Sequence, residues 1–193
     1  MERKILVGIT GASGVIYAYT FLRELKKLQI PVEVIITKAG ETVWNYELDK
    51  SVDEILNFTE NLYREDDILA PPASGSSFYS EMVIIPCSMG TLSAIASGSA
   101  KNLLQRAADV MLKERKLLVL VIRETPLNLI HIKNMRICTQ AGAVIFPAMP
   151  GFYHKPKTLE ELINQFVKRL MNFLKLNPQG FHSWEKIYEE KME

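Results

Sequence analysis

The chain has 193 residues, 23 of them Lys or Arg and 22 Asp or Glu, for a formal charge of +1. Its 48% hydrophobic and 23% charged residues are ordinary for a globular protein and exclude intrinsic disorder. A charge this close to zero argues against a protein held to nucleic acid by bulk electrostatics and favours small molecules or further copies of the chain as partners. The length suits a single domain over 1–193 with one core. Cys87 and Cys138 share no CxxC or other metal-ligand spacing and make no disulfide framework, so a reducing cytoplasm is the expected compartment. The longest clean aliphatic run, Leu117–Ile122, is strand-length and far short of the ~20 residues that span a bilayer. The N-terminus reads as a strand, not as a signal peptide.

In chain order, Lys4–Ile9 is the first expected strand. Gly11-Ala12-Ser13-Gly14 leads from it into a helix over Val15–Leu28, with apolar residues at 18, 21, 22, 25 and 28. Val32–Ile36 is the second strand. Ala70–Ser77 is too rich in Pro, Ser and Gly for regular structure and reads as a loop. Met82–Ile85 is the third strand, and Pro86–Thr91 carries it into a small-residue helix. Leu103, Leu104, Ala107, Ala108 and Met111 stripe another helix, Leu117–Ile122 is the fourth strand and Ala143–Phe146 the fifth. A long helix covers Thr158–Leu176, with Thr158 and Glu161 spaced as a capping box. The charged tail 177–193 holds a lone Trp184 and is either a solvated end or a segment that docks on a neighbouring subunit. Strands apolar throughout belong to sheets covered on both faces. Their alternation with helices gives a three-layer α/β/α Rossmann-like (flavodoxin-like) sandwich with a mostly parallel, doubly wound sheet.

Small residues at Gly11–Gly14, between strand and helix, allow close approach of an anion to free N–H groups. No acidic residue ends the second strand; Thr37 and Lys38 stand there, which disfavours a dinucleotide and favours a mononucleotide such as FMN. A tight turn with no ligand is the other reading. Ser88 and Thr91 sit where a helix cap is expected, and two anion-ready turns at one sheet edge together suggest a nucleotide crevice. Arg123 and Glu124 follow six apolar residues, at the carboxyl end of a strand; they are site residues or a helix-entry ion pair. At about 100° per residue from Leu159, Lys168 falls near 180°, facing water, and Arg169 near −80°, at the edge of the apolar stripe. Arg169 either snorkels or pairs with an anion. By the same measure Lys113 lies about 150° from its helix's stripe and reads as solvated. His131, His154 and His182 make no metal spacing. Asp66-Asp67 lacks the second Asp of a DDxxD magnesium-diphosphate motif.

Seven fragments together resemble the UbiX family of flavin prenyltransferases, formerly named aromatic or phenylacrylic acid decarboxylases. They are Thr10–Gly14, Pro72–Ser76, Pro86–Ser93, Arg106–Val110, Leu112–Arg115, Arg123–Pro126 and Pro150–His154. The resemblance covers about Arg3 to Trp184. It implies transfer of a dimethylallyl group from dimethylallyl monophosphate or pyrophosphate to nitrogen-5 and carbon-6 of reduced FMN, without a metal, to make prenylated FMN for UbiD-type decarboxylases. It places FMN on Gly11, Ala12, Ser13, Thr37, Ser88, Met89, Gly90, Thr91 and Arg123. Thr37 stands where many relatives carry Ser, and Gly90 where some carry Lys. The prenyl phosphate would meet Lys113, Arg123, Tyr153 and Arg169, with Tyr153 and Arg169 from a neighbouring subunit of a dodecamer. Trp184 also matches a family active-site position, and Ser13, Glu47, Glu124 and Lys113 would carry the chemistry. An FMN-dependent decarboxylase of the cysteine-decarboxylase group is the alternative enzyme, but its Asn-bearing PASANT-type loop is replaced here by Pro86–Thr91. A flavin carrier without catalysis would need Gly11–Ser13 but not Lys113, Glu124 or Arg169.

Overall fold

Val, Ile and Leu fill the central strands, and such runs are stable where both sheet faces are covered. The strands are β1 (Ile5–Ile9), β2 (Val32–Ile36), β3 (Asn61–Arg64), β4 (Glu81–Cys87), β5 (Leu117–Ile122) and β6 (Val144–Ile145). They form one all-parallel sheet in the order β3-β2-β1-β4-β5-β6. The computed structural model describes residues 3–185, 188 and 192, in two compact units, Met1–Pro147 and Ala148–Glu193. The first holds the sheet and five helices: α1 (Val15–Lys27), α2 (Lys38–Leu48), α3 (Met89–Ala96), α4 (Leu103–Lys113) and α5 (Leu129–Gln140).

Alternate strand residues point to opposite faces. Leu6, Met82, Ile84, Leu118 and Leu120 form a core with Leu103, Leu104, Ala107 and Met111 of α4 and with Leu92 and Ile95 of α3. Gly8 belongs to this face; a Cβ there would stand 3.1 Å from Leu104 Cδ1, so its absence lets α4 seat closely. On the other side α1 packs on β4 and on α2. The fold class is the expected α/β sandwich. Without β3, the remaining five strands run 2-1-3-4-5, the flavodoxin order; β3 adds an outer edge strand. Asn-Leu-Tyr-Arg carries no apolar run, and its strand state comes from pairing with β2. β4 also runs further than expected, through Pro86 to Cys87, with an irregular register between Ile84 and Cys87.

The second unit holds α6 (Leu159–Phe173), capped by Thr158, whose hydroxyl accepts from Glu161 N at 3.1 Å. The Glu161 carboxylate takes Lys157 N at 2.7 Å instead of returning to Thr158, so only half of the expected capping box forms. A complete one stands on α5, between Asn128 and His131. Lys168, expected to face water, is half-buried and donates to Gly180 O at 3.2 Å, beside a 3.0 Å bond from Gln165. Residues near 180 thus fold back along α6. Within the tail, 186, 187, 189–191 and 193 lie outside the described residues, and with them part of the docking expectation for 177–193.

Glu33 is 7% exposed and accepts from Lys4 at 3.0 Å, Asn61 at 3.1 Å, Tyr63 at 3.1 Å and also Tyr79. Burial pushes its carboxyl up, but the hydrogen bonds from Tyr79 and Lys4 outweigh burial and hold it below the usual range. A depressed carboxyl stabilises the fold above its unfolded pKa, and that stability is lost as pH falls through the folded value. Thermal melts of Glu33→Gln are expected to lose less stability than wild type between about pH 5 and pH 3, from a lower start at pH 7. Parallel pH profiles would remove this role from Glu33.

Candidate functional site

At the carboxyl ends of β1 and β4 the crossovers depart in opposite directions, and such a switch point opens a crevice. Thr10 ties its two walls together. Its buried hydroxyl donates to Pro86 O at 2.7 Å and accepts from Ser88 N at 2.9 Å. In the sequence Thr10 is marked only by its place before the glycine turn, as the first residue of the resembling fragment Thr10–Gly14. Gly11 is packed against α2: a Cβ there would stand 2.5 Å from Ala39 Cβ, and one on Gly40 would stand 2.8 Å from Ile9 O. The small residues therefore serve the seating of α2 on the turn as well as any ligand. Gly14 caps α1 at φ 99°, where a side chain would be strained.

Glu47, near the end of α2, accepts from Gly14 N at 2.8 Å and Val15 N at 3.2 Å. The positive terminus of α1 is thus already covered by a carboxylate, which disfavours a second anion there. The N–H groups of Ala12 and Ser13 make no hydrogen bond among the described residues, and Ser13 is exposed. Thr37 caps α2 by accepting from Gly40 N at 3.0 Å, leaving its own hydroxyl proton to give. Ser88 caps α3 by accepting from Thr91 N at 3.3 Å and reaches Thr91 Oγ1 at 3.2 Å. Gly90 opens on space, with Ser88 Oγ, at 4.0 Å, the nearest atom to a Cβ. Met89 N and Gly90 N make no hydrogen bond among the described residues, so the α3 terminus accepts an anion better than that of α1.

Arg123 leaves β5 at the same edge, exposed, with its N–H on Cys87 O at 3.3 Å. Glu124 accepts from Thr125 N at 3.0 Å, so it closes its own turn, and among the described residues it makes no helix-entry ion pair. Tyr17 joins them: burial raises its hydroxyl pKa, and the charge of Arg123 opposes that rise. Its ring lies 3.2 Å from where a Cβ on Gly14 would be. Tyr17 has no sequence signal apart from a half-buried place in the first turn of α1. Both thiols are buried and free; burial pushes Cys138 up to about 11 and Cys87 higher, so neither is a thiolate at neutral pH.

Lys113 is elsewhere. It ends α4, just before β5 begins, at the amino edge of the sheet, so the length of β5, roughly 20 Å, separates it from Arg123 in the same chain. Five of the seven resembling fragments thus divide by edge, while Arg106–Val110 lies within α4 and Pro150–His154 in the second unit. Thr10–Gly14, Pro86–Ser93 and Arg123–Pro126 meet at the carboxyl edge. Pro72–Ser76 and Leu112–Arg115 meet at the amino edge, where Arg106, on α4, donates to Ala73 O at 3.1 Å. The expected meeting of Lys113 with Arg123 does not occur within one chain. In the second unit, Tyr153 packs edge-on against Trp184 and His154, each at 5.6 Å. Trp184 is 67% exposed, and Arg169 is exposed without a partner among the described residues. Among the described residues no cluster of His, Cys, Asp and Glu could hold a metal, and no helix is long and apolar enough to cross a membrane.

The model of the family described as Flavoprotein matches residues 1–179. The flavin prenyltransferase UbiX of Halalkalibacterium halodurans is 46% identical over 188 residues, 92% of this chain and 91% of that one. A crystal structure of AnUbiX (PadA1) in complex with FMN and dimethylallyl pyrophosphate superposes with a TM-score of 0.93 at 41% identity, covering 95% of this chain and 98% of that one. A dodecameric FMN-dependent UbiX-like decarboxylase from Escherichia coli O157:H7 gives 0.91 at 34% identity, over 94% and 98%.

Proposed function

Because the chain belongs to the Flavoprotein family and, within it, to the UbiX flavin prenyltransferases, we propose that it transfers a dimethylallyl group from dimethylallyl monophosphate to nitrogen-5 and carbon-6 of reduced FMN, releasing phosphate. The observation that carries this reading is the set of unspent donors at the switch point. Ala12 N, Ser13 N, Thr37 Oγ1, Met89 N and Gly90 N have no acceptor in the described chain, and Arg123 leaves β5 at the same sheet edge. Such a set suits a phosphorylated flavin. The flavin phosphate belongs by Thr37 and the α3 terminus, because Glu47 covers the α1 terminus.

When bound, reduced FMN supplies the electron-rich ring that the prenyl carbon alkylates. The chain's part is electrostatic and geometric. Arg123 and Lys113 stabilise charge on the departing phosphate, and fixed donors do so without reorganisation. Closing the bond to carbon-6 would consume the prenyl double bond, which takes up one proton as carbon-6 gives up another; Glu124 would receive the proton from carbon-6, with Ser13 as a relay. The edge-on pair of Tyr153 and Trp184 supplies an aromatic wall for the prenyl group, and Arg169, without a partner among the described residues, holds the donor phosphate. Glu47 keeps the Gly11–Gly14 turn in place. Holding both reactants face to face contributes up to ~7–11 kcal/mol in well-oriented systems.

Lys113, on the far edge of its own sheet, serves the crevice of a neighbouring copy, as do Tyr153 and Arg169. The dodecameric state of the similar Escherichia coli protein supports such sharing. The product is prenylated FMN for a UbiD-type decarboxylase, and the free, buried thiols agree with a reducing cytoplasm. The test is anaerobic incubation with reduced FMN and dimethylallyl monophosphate, without added metal, followed by mass spectrometry of the flavin. A gain of one C5 unit with phosphate release is expected. Conversion only with the pyrophosphate would change the donor. Unchanged flavin with both donors, from protein that binds FMN, would favour a carrier.

A further inference from the structure

We propose that Glu114 and Gly75 are positioning residues that aim Lys113. The proposal rests on the reading that Lys113 meets the prenyl phosphate in a neighbouring copy. A lysine at a helix end has a long stem with many rotamers, and a phosphate ligand must be held in few of them. Neighbouring helix residues do not face each other. Lys113 nevertheless donates to the Glu114 carboxylate, because Glu114 is the C-cap, where the chain turns out of α4. The hydrogen bond from Lys113 and then its charge hold the Glu114 carboxyl below the usual range, so the partner stays ionised. An exposed pair of this kind contributes little to stability. Its effect is to fix a direction.

Gly75 supplies the room. A Cβ there would stand 2.4 Å from Glu114 Oε1 and 2.8 Å from Lys113 Nζ. Gly75 is not among the glycines with positive φ, so space and not backbone conformation is what a side chain would take away. The loop that carries it is braced on several sides. Arg106 Nε donates to Ala73 O at 3.1 Å, Lys116 Nζ to Ser77 O at 3.1 Å, and Tyr79, just beyond, donates to Glu33. Pro72–Ser76 is thus a fixed wall against which the ion pair rests, a role that the flavin crevice does not give it.

The test uses the assembled enzyme with reduced FMN and dimethylallyl monophosphate, comparing Lys113→Ala, Glu114→Gln, Gly75→Ala and the double variant Lys113→Ala/Glu114→Gln. Glu114→Gln and Gly75→Ala are expected to raise KM for the donor about 5- to 10-fold, with KM for FMN and melting temperature unchanged. In Gly75→Ala only flexible side-chain tips must move, so the fold is spared. The double variant is expected to be no worse than Lys113→Ala alone, because both changes remove one interaction. Additive losses, or a wild-type donor KM in Glu114→Gln beside a large defect in Lys113→Ala, would overturn the aiming role alone. An unchanged donor KM in Lys113→Ala would remove the underlying reading and this role with it.

Discussion

Lys113→Ala and Arg123→Ala should each lose about 100-fold or more in turnover, as is typical when a fixed donor to developing charge is removed. Co-expressed with different tags and purified as mixed assemblies, they should recover activity. The reason is the place of the two residues. Arg123 leaves the carboxyl end of β5 and Lys113 precedes its amino end, so one chain cannot bring both to one phosphate. If each site draws its crevice from one chain and its lysine from another, about a quarter of the sites in a random mixture pair an intact Arg123 with an intact Lys113. About a quarter of wild-type turnover is therefore expected. If Lys113 served its own crevice, every site would carry a lesion and mixing would restore nothing.

Thr10→Val should cost about 2–4 kcal/mol, because it leaves Ser88 N and Pro86 O buried and unpaired while keeping the side-chain shape. In a chain of this length that is a fall in Tm of roughly 5–15 °C. FMN affinity should fall with it, since the hydroxyl joins the two strand ends from which the Gly11–Gly14 and Ser88–Thr91 turns depart. Thr10→Ser keeps the hydroxyl and should stay close to wild type. A Thr10→Val protein that melts within about 2 °C of wild type would mean that the crevice walls are joined by other means.

Particular residues show what was legible in the sequence. The apolar strands were readable because β1, β2, β4 and β5 are buried along nearly their whole length, their apolar runs interrupted only by such residues as Glu33 and Glu81, and the helix over Leu103–Lys113 because its stripe is strong. The fifth expected strand, Ala143–Phe146, is shortened to the half-buried Val144–Ile145. β3 was not, because an edge strand with exposed Asn61 and half-buried Arg64 takes its state from its neighbour. α2 was not, because Gly40 and Trp44 are its buried residues and make no stripe. At the site, the caps Thr37 and Ser88 were visible from their place after strands. The Glu47 cap was visible only as a resemblance, since it acts on a turn 33 residues away. The angular test placed Lys113 in solvent, and in a single chain that is where it stands. Lys168 departed from the same test because the later residues near Gly180 return to cover it.

The separation of Lys113 from its own crevice also ties chemistry to mass action. On the proposed sharing of sites, below the concentration at which copies associate a lone chain would keep Thr10, Thr37, Ser88 and Arg123 for the flavin but would lack the lysine for the prenyl phosphate. Specific activity should then fall on dilution while bound flavin does not. On that reading, synthesis of the chain beyond the threshold would turn a store of flavin into a catalyst, with no effector needed to make the change.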